Sequence, residues 1–172
     1  MDTKPLADLI TFRTYGSWLH GDHRTSVDRY RNQYGTPKIP PNTSFETKMH
    51  NTQKQQTIIL TKKHGDIILD AAIYACTKYN WDLFTIHVRT NHVHVTINSN
   101  RTPEHMVNQI KAYATRFLRE KKAFSKDSKI WSRGCSVKYL WTPESLYFAS
   151  EYTVERQGLK MAYLYGDLFE RG

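Results

Sequence analysis

Residues 86–97 read Ile86-His87-Val88-Arg89-Thr90-Asn91-His92-Val93-His94-Val95-Thr96-Ile97. Polar and apolar residues alternate through most of this stretch, which is typical of β-strands because successive side chains point to opposite faces of a sheet. A tight turn at 89–91 divides the stretch into the two strands of a hairpin. The second strand is predicted to turn its apolar residues toward a core and to place His92 and His94 side by side on the other face.

Two imidazoles fixed on one face of a strand make half of a metal site. The chain contains eight histidines, however, so a His-x-His pair also arises by chance. A polar, partly exposed strand face fits the same spacing. Spacing by itself leaves these two interpretations about equally supported, and the rest of the chain has to decide between them.

The bulk properties bound the class of protein. At 172 residues, we predict a single domain over 1–172 with a polar insertion at about 19–56. We find no stretch apolar enough to span a membrane and no secretory signal at the N-terminus, so we expect no membrane partner. Cys76 and Cys135 are too few for a disulfide framework or a four-thiolate zinc site, and we expect a reducing cytoplasm.

The net charge is +9, and most of the excess lies between residues 101 and 140, where ten Lys/Arg face three acidic residues. A basic domain rich in aromatic residues suggests a polyanionic partner, although a solvated helix face also explains such a run. Trp131 and Tyr139 fit either stacking on extruded bases or packing in the core. We expect the following phosphate contacts: Lys111, Arg116, Arg119, Lys121, Lys122 and Arg133.

Local patterns predict the other elements. Strands are expected at 9–16, 81–88 and 136–141, and helices at about 44–53, 61–79, 102–122 and 142–156. In the helix from 102, Lys111 is expected on the exposed side. This order predicts an α+β sandwich of the ferredoxin-like or RRM-like type. Its four-stranded antiparallel sheet has the histidine strand at its centre, helices on one face and a further C-terminal helix. The tail after 161 carries no clear pattern.

The last predicted helix carries Tyr152 and ends near Gln157 and Gly158. With the histidine pair and the order of elements, this chain resembles the HUH-type single-tyrosine transposases, which include insertion-sequence transposases and REP-associated tyrosine transposases. The similar segments are 91–95 and 152–158, with further likeness at 15–22, 34–37, 131–134 and 139–141. The resemblance therefore covers most of the chain.

This resemblance implies a bacterial, nucleoid-associated enzyme that cleaves and rejoins single-stranded DNA at hairpin-marked ends. Tyr152 is implied as the nucleophile that forms a 5′-phosphotyrosine, and His92 and His94 as ligands of a divalent metal. The implied partner is single-stranded DNA with a REP-like hairpin or an insertion-sequence end. Both monomers and homodimers are known in such enzymes, and the sequence leaves the choice open.

Gln157 is the third metal ligand that the resemblance implies. Residues five apart on a straight helix lie about 140° apart, so Tyr152 and Gln157 would not share a face. Either the helix loosens near Gly158, or Glu155, about 60° from Tyr152, supplies the oxygen. We favour Gln157. Two imidazoles and one oxygen fit Mg²⁺ or Mn²⁺, and zinc also fits the nitrogens.

Other interpretations stay open. The same scaffold also fits a noncatalytic single-stranded nucleic-acid-binding domain, or a small replication-initiator or relaxase-type nickase. Tyr147 is a second candidate nucleophile on the same helix. His87 either supports the metal ligands or lies at the surface.

Overall fold

The computed structural model describes residues 4–17 and 40–166. In chain order the elements are β1 (Ala7–Arg13), α1 (Thr43–Asn51), α2 (Lys62–Tyr79), β2 (Asp82–Val88), β3 (His92–Asn98), α3 (Pro103–Glu120), β4 (Ser136–Leu140), α4 (Pro143–Glu155) and β5 (Ala162–Tyr165). The predicted helices and strands are confirmed, including the short helix within the insertion. Most of the predicted insertion lies outside the described residues.

The strands form one antiparallel sheet in the order β4-β1-β3-β2-β5. The α+β class and the central position of the histidine strand are confirmed. The predicted strand number of four is wrong, because Ala162–Tyr165 pairs with β2 as a fifth strand. These four residues follow an irregular segment and include two half-exposed tyrosines, so no long alternating pattern announces them.

The two faces of the sheet are covered differently. α2 and α3 pack on the face that carries the apolar residues of β1, β2 and β3. α4 packs on the opposite face, against β2 and β3. The main core between the sheet and the first helix pair includes Ile10, Phe12, Ile68, Ala72, Ile86, Val93, Val95, Ile110 and Leu118.

The helix start signals act as the sequence predicts. The Thr61, Thr102 and Thr142 side chains each accept a hydrogen bond from the third backbone N–H of the helix that follows. Both cysteines are free thiols. No helix within residues 4–17 and 40–166 is long and apolar enough to span a bilayer.

Candidate metal and nucleophile site

A row of directly paired residues crosses the sheet on the face that α4 covers. His94 of β3 pairs with Thr11 of β1 on one side and with His87 of β2 on the other. Thr11 in turn pairs with Ser136 of β4, and His87 with Tyr163 of β5. Directly paired residues of an antiparallel sheet share a face. The antiparallel register therefore places these polar side chains in one row across five strands, with His94 at its centre and Thr11 and His87 as its direct neighbours.

The two imidazoles of the histidine pair are in contact, with ring centroids 4.7 Å apart and ring planes at 80°. His92 Nδ1 donates to Asn91 Oδ1 at 2.7 Å, and His94 Nδ1 lies 2.7 Å from Thr11 Oγ1. The Asn91 oxygen can only accept, so the proton of His92 lies on Nδ1 and its Nε2 is left for a further ligand, and the Nε2 of His94 is left in the same way when Thr11 accepts from Nδ1. Hydrogen bonds of this kind orient histidines that bind metals.

Both imidazoles are held neutral at pH 7. Burial is the main reason that the pKa of His94 falls to about 3, with the neighbouring His92 as the next cause. Burial also lowers the pKa of His92 to about 4, helped by the positive charges of Arg89 and Arg13. A neutral imidazole has the free lone pair that metal coordination requires.

Tyr152 lies beside this pair. Its ring centroid is 5.9 Å from that of His94, and its side chain is 44% exposed. α4 achieves this placement by packing its buried residues, among them Ala149 and Val154, onto the sheet. Tyr147 instead packs against the Phe148 ring, and its charge acts on Tyr165 of β5. The structure therefore brings Tyr152, and not Tyr147, to the imidazoles.

The Gln157 side chain lies against His92 and His94 because α4 ends at Glu155, two residues before Gln157. The helix stops at Glu155, and Gly158 follows with a φ of +76° in the left-handed region. The Gln157 side chain hydrogen-bonds to both imidazoles, which opposes the fall in their pKa values. Its Nε2 also donates to the Tyr152 carbonyl at 3.4 Å. The angular difficulty of a straight helix therefore does not arise, and the Glu155 carboxylate instead pairs with Lys160 at 2.6 Å.

These donors suit a divalent cation. Among the described residues there is no cluster of three or more His, Cys, Asp and Glu side chains that could hold a metal. Within residues 4–17 and 40–166, a third protein ligand at the histidine pair therefore has to be of another residue type. The Gln157 carboxamide oxygen is the group at hand, and two imidazole nitrogens with one amide oxygen leave further positions for phosphate oxygens or water.

Two arginines that sequence reasoning missed lie close to the pair. Arg13 of β1 is paired with His92, and Arg89 lies in the turn that precedes it. Their charges lower the pKa of His92, which shows their proximity. Arg13 and Thr11 lie two residues apart on β1 and so share a face, but only the register between β1 and β3 brings Arg13 to His92.

The basic residues of α3 lie on the other face of the sheet. Lys111 was expected to be exposed, and this prediction is wrong. Its side chain is buried, and Nζ donates to the Ser132 and Gly134 carbonyls at 2.9 and 2.8 Å, 5.5 Å from the Phe12 ring centroid. An ammonium used in this way has little to offer a phosphate. The other expected contacts remain exposed: Arg116, Arg119, Lys121, Lys122 and Arg133.

The remaining candidates divide between core and surface. Trp131 is buried, with its ring edge-on to Phe12 and its Nε1–H donating to Thr115 Oγ1. Tyr139 is 53% exposed on the edge strand β4, near the Trp141 ring. His87 is fully buried beside the site and is not a surface residue.

Three comparisons relate the chain to known proteins. No curated protein matches its sequence. A solved structure of a REP-associated tyrosine transposase bound to a REP hairpin is similar at 10% identity and a TM-score of 0.46, over 87% of this chain and 65% of that one. This chain thus covers less than two thirds of that protein. The sequence model of the family described as IS200-like transposases matches residues 42–160, which is more than half of the chain, and this chain therefore belongs to the IS200-like transposase family.

Proposed function

We propose that this transposase cleaves and rejoins single-stranded DNA through Tyr152, with a divalent cation held by His92, His94 and Gln157. The observation that carries the proposal is the convergence of strand β3 and the end of α4. It places the Tyr152 ring 5.9 Å from His94, and the Gln157 side chain against both imidazoles. All of these groups come from one chain.

The cation, when bound, would polarise the scissile phosphate and offset the negative charge that develops in the transition state. Two imidazole nitrogens and an amide oxygen accept Mn²⁺ or Mg²⁺, and zinc also suits the nitrogens. The low pKa values of His92 and His94 favour this role, because both side chains stay neutral well below pH 7.

Tyr152 supplies the nucleophile. Its Oη loses its proton and bonds to phosphorus, while the bond from phosphorus to the 3′ oxygen of the preceding nucleotide breaks and that oxygen becomes a 3′-hydroxyl. The DNA then remains on Tyr152 through its 5′-phosphate. A phenol is a better leaving group than a sugar alcohol, so a 3′-hydroxyl can reverse the step without ATP. The half-exposed side chain is open to a DNA strand.

The substrate we propose is a single strand with a hairpin, either REP-like or from an insertion-sequence end. The net charge of +9 favours a polyanion. Arg13 lies beside His92, where it can contact the scissile phosphate, and more distant phosphates would meet the exposed cations Arg116, Arg119, Lys121, Lys122 and Arg133.

The test is incubation with hairpin-bearing oligonucleotides and Mn²⁺, followed by denaturing electrophoresis. We expect a covalent adduct with the wild type, none with Tyr152→Phe, and an undiminished amount with Tyr147→Phe. Tyr147 is the matched control because it lies on the same helix and is equally exposed, at 44%. An adduct that survives Tyr152→Phe refutes the nucleophile. DNA binding without any adduct favours a noncatalytic binder, and cleavage without joining to a second end favours a nickase.

A further inference from the structure

The segment between α4 and β5, residues 156–161, carries Gln157 but has no regular structure. The other two candidate ligands belong to a central strand, whose backbone is fixed by pairing on both sides. A short irregular segment lacks such pairing, so its backbone groups need other partners. Those partners determine how well Gln157 is placed.

His87 of β2 holds both ends of this segment. Its side chain is fully buried, its Nδ1 donates to the Thr153 carbonyl at 2.9 Å, and its Nε2 accepts from the Met161 N–H at 3.2 Å. A neutral imidazole has one donor and one acceptor, and this arrangement uses both. One side chain thus joins the last turn of α4 to the residue that precedes β5.

Arg89 holds the middle of the segment. It lies two residues beyond His87, and its Nη1 donates to the Leu159 carbonyl at 2.5 Å. Its guanidinium also lies against Gly158, where an added Cβ would be 3.4 Å from Nη2. The backbone on both sides of Gln157 is therefore held at residues 153 and 161 by His87 of β2, and at residue 159 by Arg89, the residue directly after β2.

We propose that His87 and Arg89 are positioning residues that hold Gln157 at the histidine pair, an inference that rests on the proposed function. Neither side chain needs to touch the cation or the DNA. They act by fixing the backbone that presents the third ligand, so that little conformational freedom is lost when the cation binds. Supporting contacts of this kind are typically worth about 10- to 100-fold in metal affinity.

The test measures Mn²⁺ binding without DNA, by the electron paramagnetic resonance signal of free Mn²⁺. We expect His87→Leu and Arg89→Met to raise the Kd for Mn²⁺ about 10- to 100-fold. His87→Asn keeps a donor near the Nδ1 position and should recover part of the affinity. The matched control is Thr85→Val, on the same strand and face, whose buried hydroxyl has no hydrogen-bond partner within the described parts of the chain.

A second measurement follows the segment itself. Hydrogen–deuterium exchange of the metal-free variants should increase at 154–161 and stay unchanged in β1 and β3. The hairpin DNA affinity of His87→Leu, which removes no positive charge, should stay within about twofold in chelator. If His87→Leu fails to fold, Arg89→Met tests the same proposal at a half-buried position. Wild-type Mn²⁺ affinity and unchanged exchange in the variants overturn the proposed role. A wild-type protein that binds no Mn²⁺ overturns the metal site of the proposed function. The exchange data then still test whether His87 and Arg89 hold the segment 156–161 in place.

Discussion

The two imidazoles of the histidine pair are fixed by different means. His92 is held by an amide oxygen of Asn91, the residue that precedes it, and such an oxygen can only accept. His94 is held from the neighbouring strand by the Thr11 hydroxyl, which can donate or accept. The proton of neutral His94 can therefore lie on either ring nitrogen. It stays on Nδ1 when the Thr11 hydroxyl accepts a hydrogen bond from Nδ1–H. Thr11 decides whether His94 offers Nε2 to a cation.

This argument predicts that Thr11→Val weakens Mn²⁺ binding about 10-fold or more, because His94 loses the group that orients it. The measurement is Mn²⁺ titration of the free protein. Thr96→Val is the matched control, since Thr96 lies on the same face and its buried hydroxyl lacks a hydrogen-bond partner in the described residues. Replacing it should leave the affinity unchanged. Equal effects of the two substitutions would contradict the orienting role.

The lowered pKa values predict that the metal-free protein loses stability as the pH falls. The unfolded histidines titrate near 6.5, whereas folded His92 and His94 resist protonation down to about 4 and about 3. The unfolded state therefore binds more protons between pH 6.5 and 4, and the free energy of unfolding falls by up to about 1.4 kcal/mol per pH unit for each histidine. The lowered pKa of His87 acts in the same direction.

Asp8 opposes this trend, because burial raises its pKa to about 6 and the folded state then holds its proton between about pH 6 and 4. Urea denaturation at pH 7, 6 and 5 measures the net effect. In Asp8→Asn, which cannot titrate, the loss between pH 6 and 5 should be steeper than in the wild type. Equal stability of Asp8→Asn at pH 7 and 5 would show that the histidines are not held neutral, and a shallower loss in Asp8→Asn than in the wild type would contradict the raised pKa of Asp8.

The sequence identifies those site residues that are marked by a pattern among their neighbours along the chain. Alternation identified His92 and His94, and the resemblance added Tyr152 and Gln157. Arg13 and Thr11 escaped notice because their proximity to the pair depends on the register between β1 and β3. Lys111 was wrongly predicted to be exposed. Its ammonium donates to two backbone carbonyls in the segment between α3 and β4, and the pattern of residues along α3 does not reveal such partners.

At the scale of elements, the end of α4 is as important as its start. The capping box of Thr142 and Ser145 fixes where the helix begins, and Gly158 allows the chain to turn directly after Gln157. A longer helix would carry Gln157 away from the face of Tyr152. The termination of α4 therefore controls the distance between the proposed nucleophile and the proposed third ligand.

Gly158→Ala tests this relation. A residue with a Cβ is strained at a φ of +76°, so we expect a loss of about 1 kcal/mol in the free energy of unfolding. Gly134→Ala is matched, since Gly134 has a φ of +69° and nothing within 4 Å of an added Cβ. Chemical denaturation should show similar losses for both variants. Only Gly158→Ala should also weaken Mn²⁺ binding. Equal Mn²⁺ affinity in the two variants would show that the turn at Gly158 does not position Gln157 for the cation.

Most elements were predictable because each has its own start signal or period. The threonine caps announced α2, α3 and α4, and alternation announced β1, β2 and β3. β5 was missed because its place in the sheet depends on pairing with β2 and on contacts such as the close approach of Ala162 to Gly65 of α2. Such long-range contacts leave no periodic trace in a four-residue strand.

At the scale of the whole molecule, exposed cations extend along α3 and into the segment that follows it. We predict that Arg133→Gln lowers the slope of log K against log salt for hairpin binding by about 0.7–0.9, the value for one phosphate contact. Lys111→Met should leave that slope unchanged while it destabilises the fold, because the Ser132 and Gly134 carbonyls lose a charged donor that is itself buried. The measurement is fluorescence anisotropy across a salt series in chelator. A reduced slope for Lys111→Met would show that Lys111 contacts a DNA phosphate after all.

The last prediction concerns whether one chain holds a complete site. Tyr152 lies beside His94 of its own chain, so an enzyme built this way cannot complement a defective neighbour. We expect no covalent adduct when a His92→Ala/His94→Ala variant, which retains Tyr152, is mixed with Tyr152→Phe, which retains the histidines. Mixing wild type with Tyr152→Phe in equal amounts controls for inhibition and should keep about half of the adduct expected from wild type alone. Adduct formation by the first mixture would mean that α4 carries Tyr152 to the histidines of a second chain, and that the active enzyme is a helix-exchanged dimer.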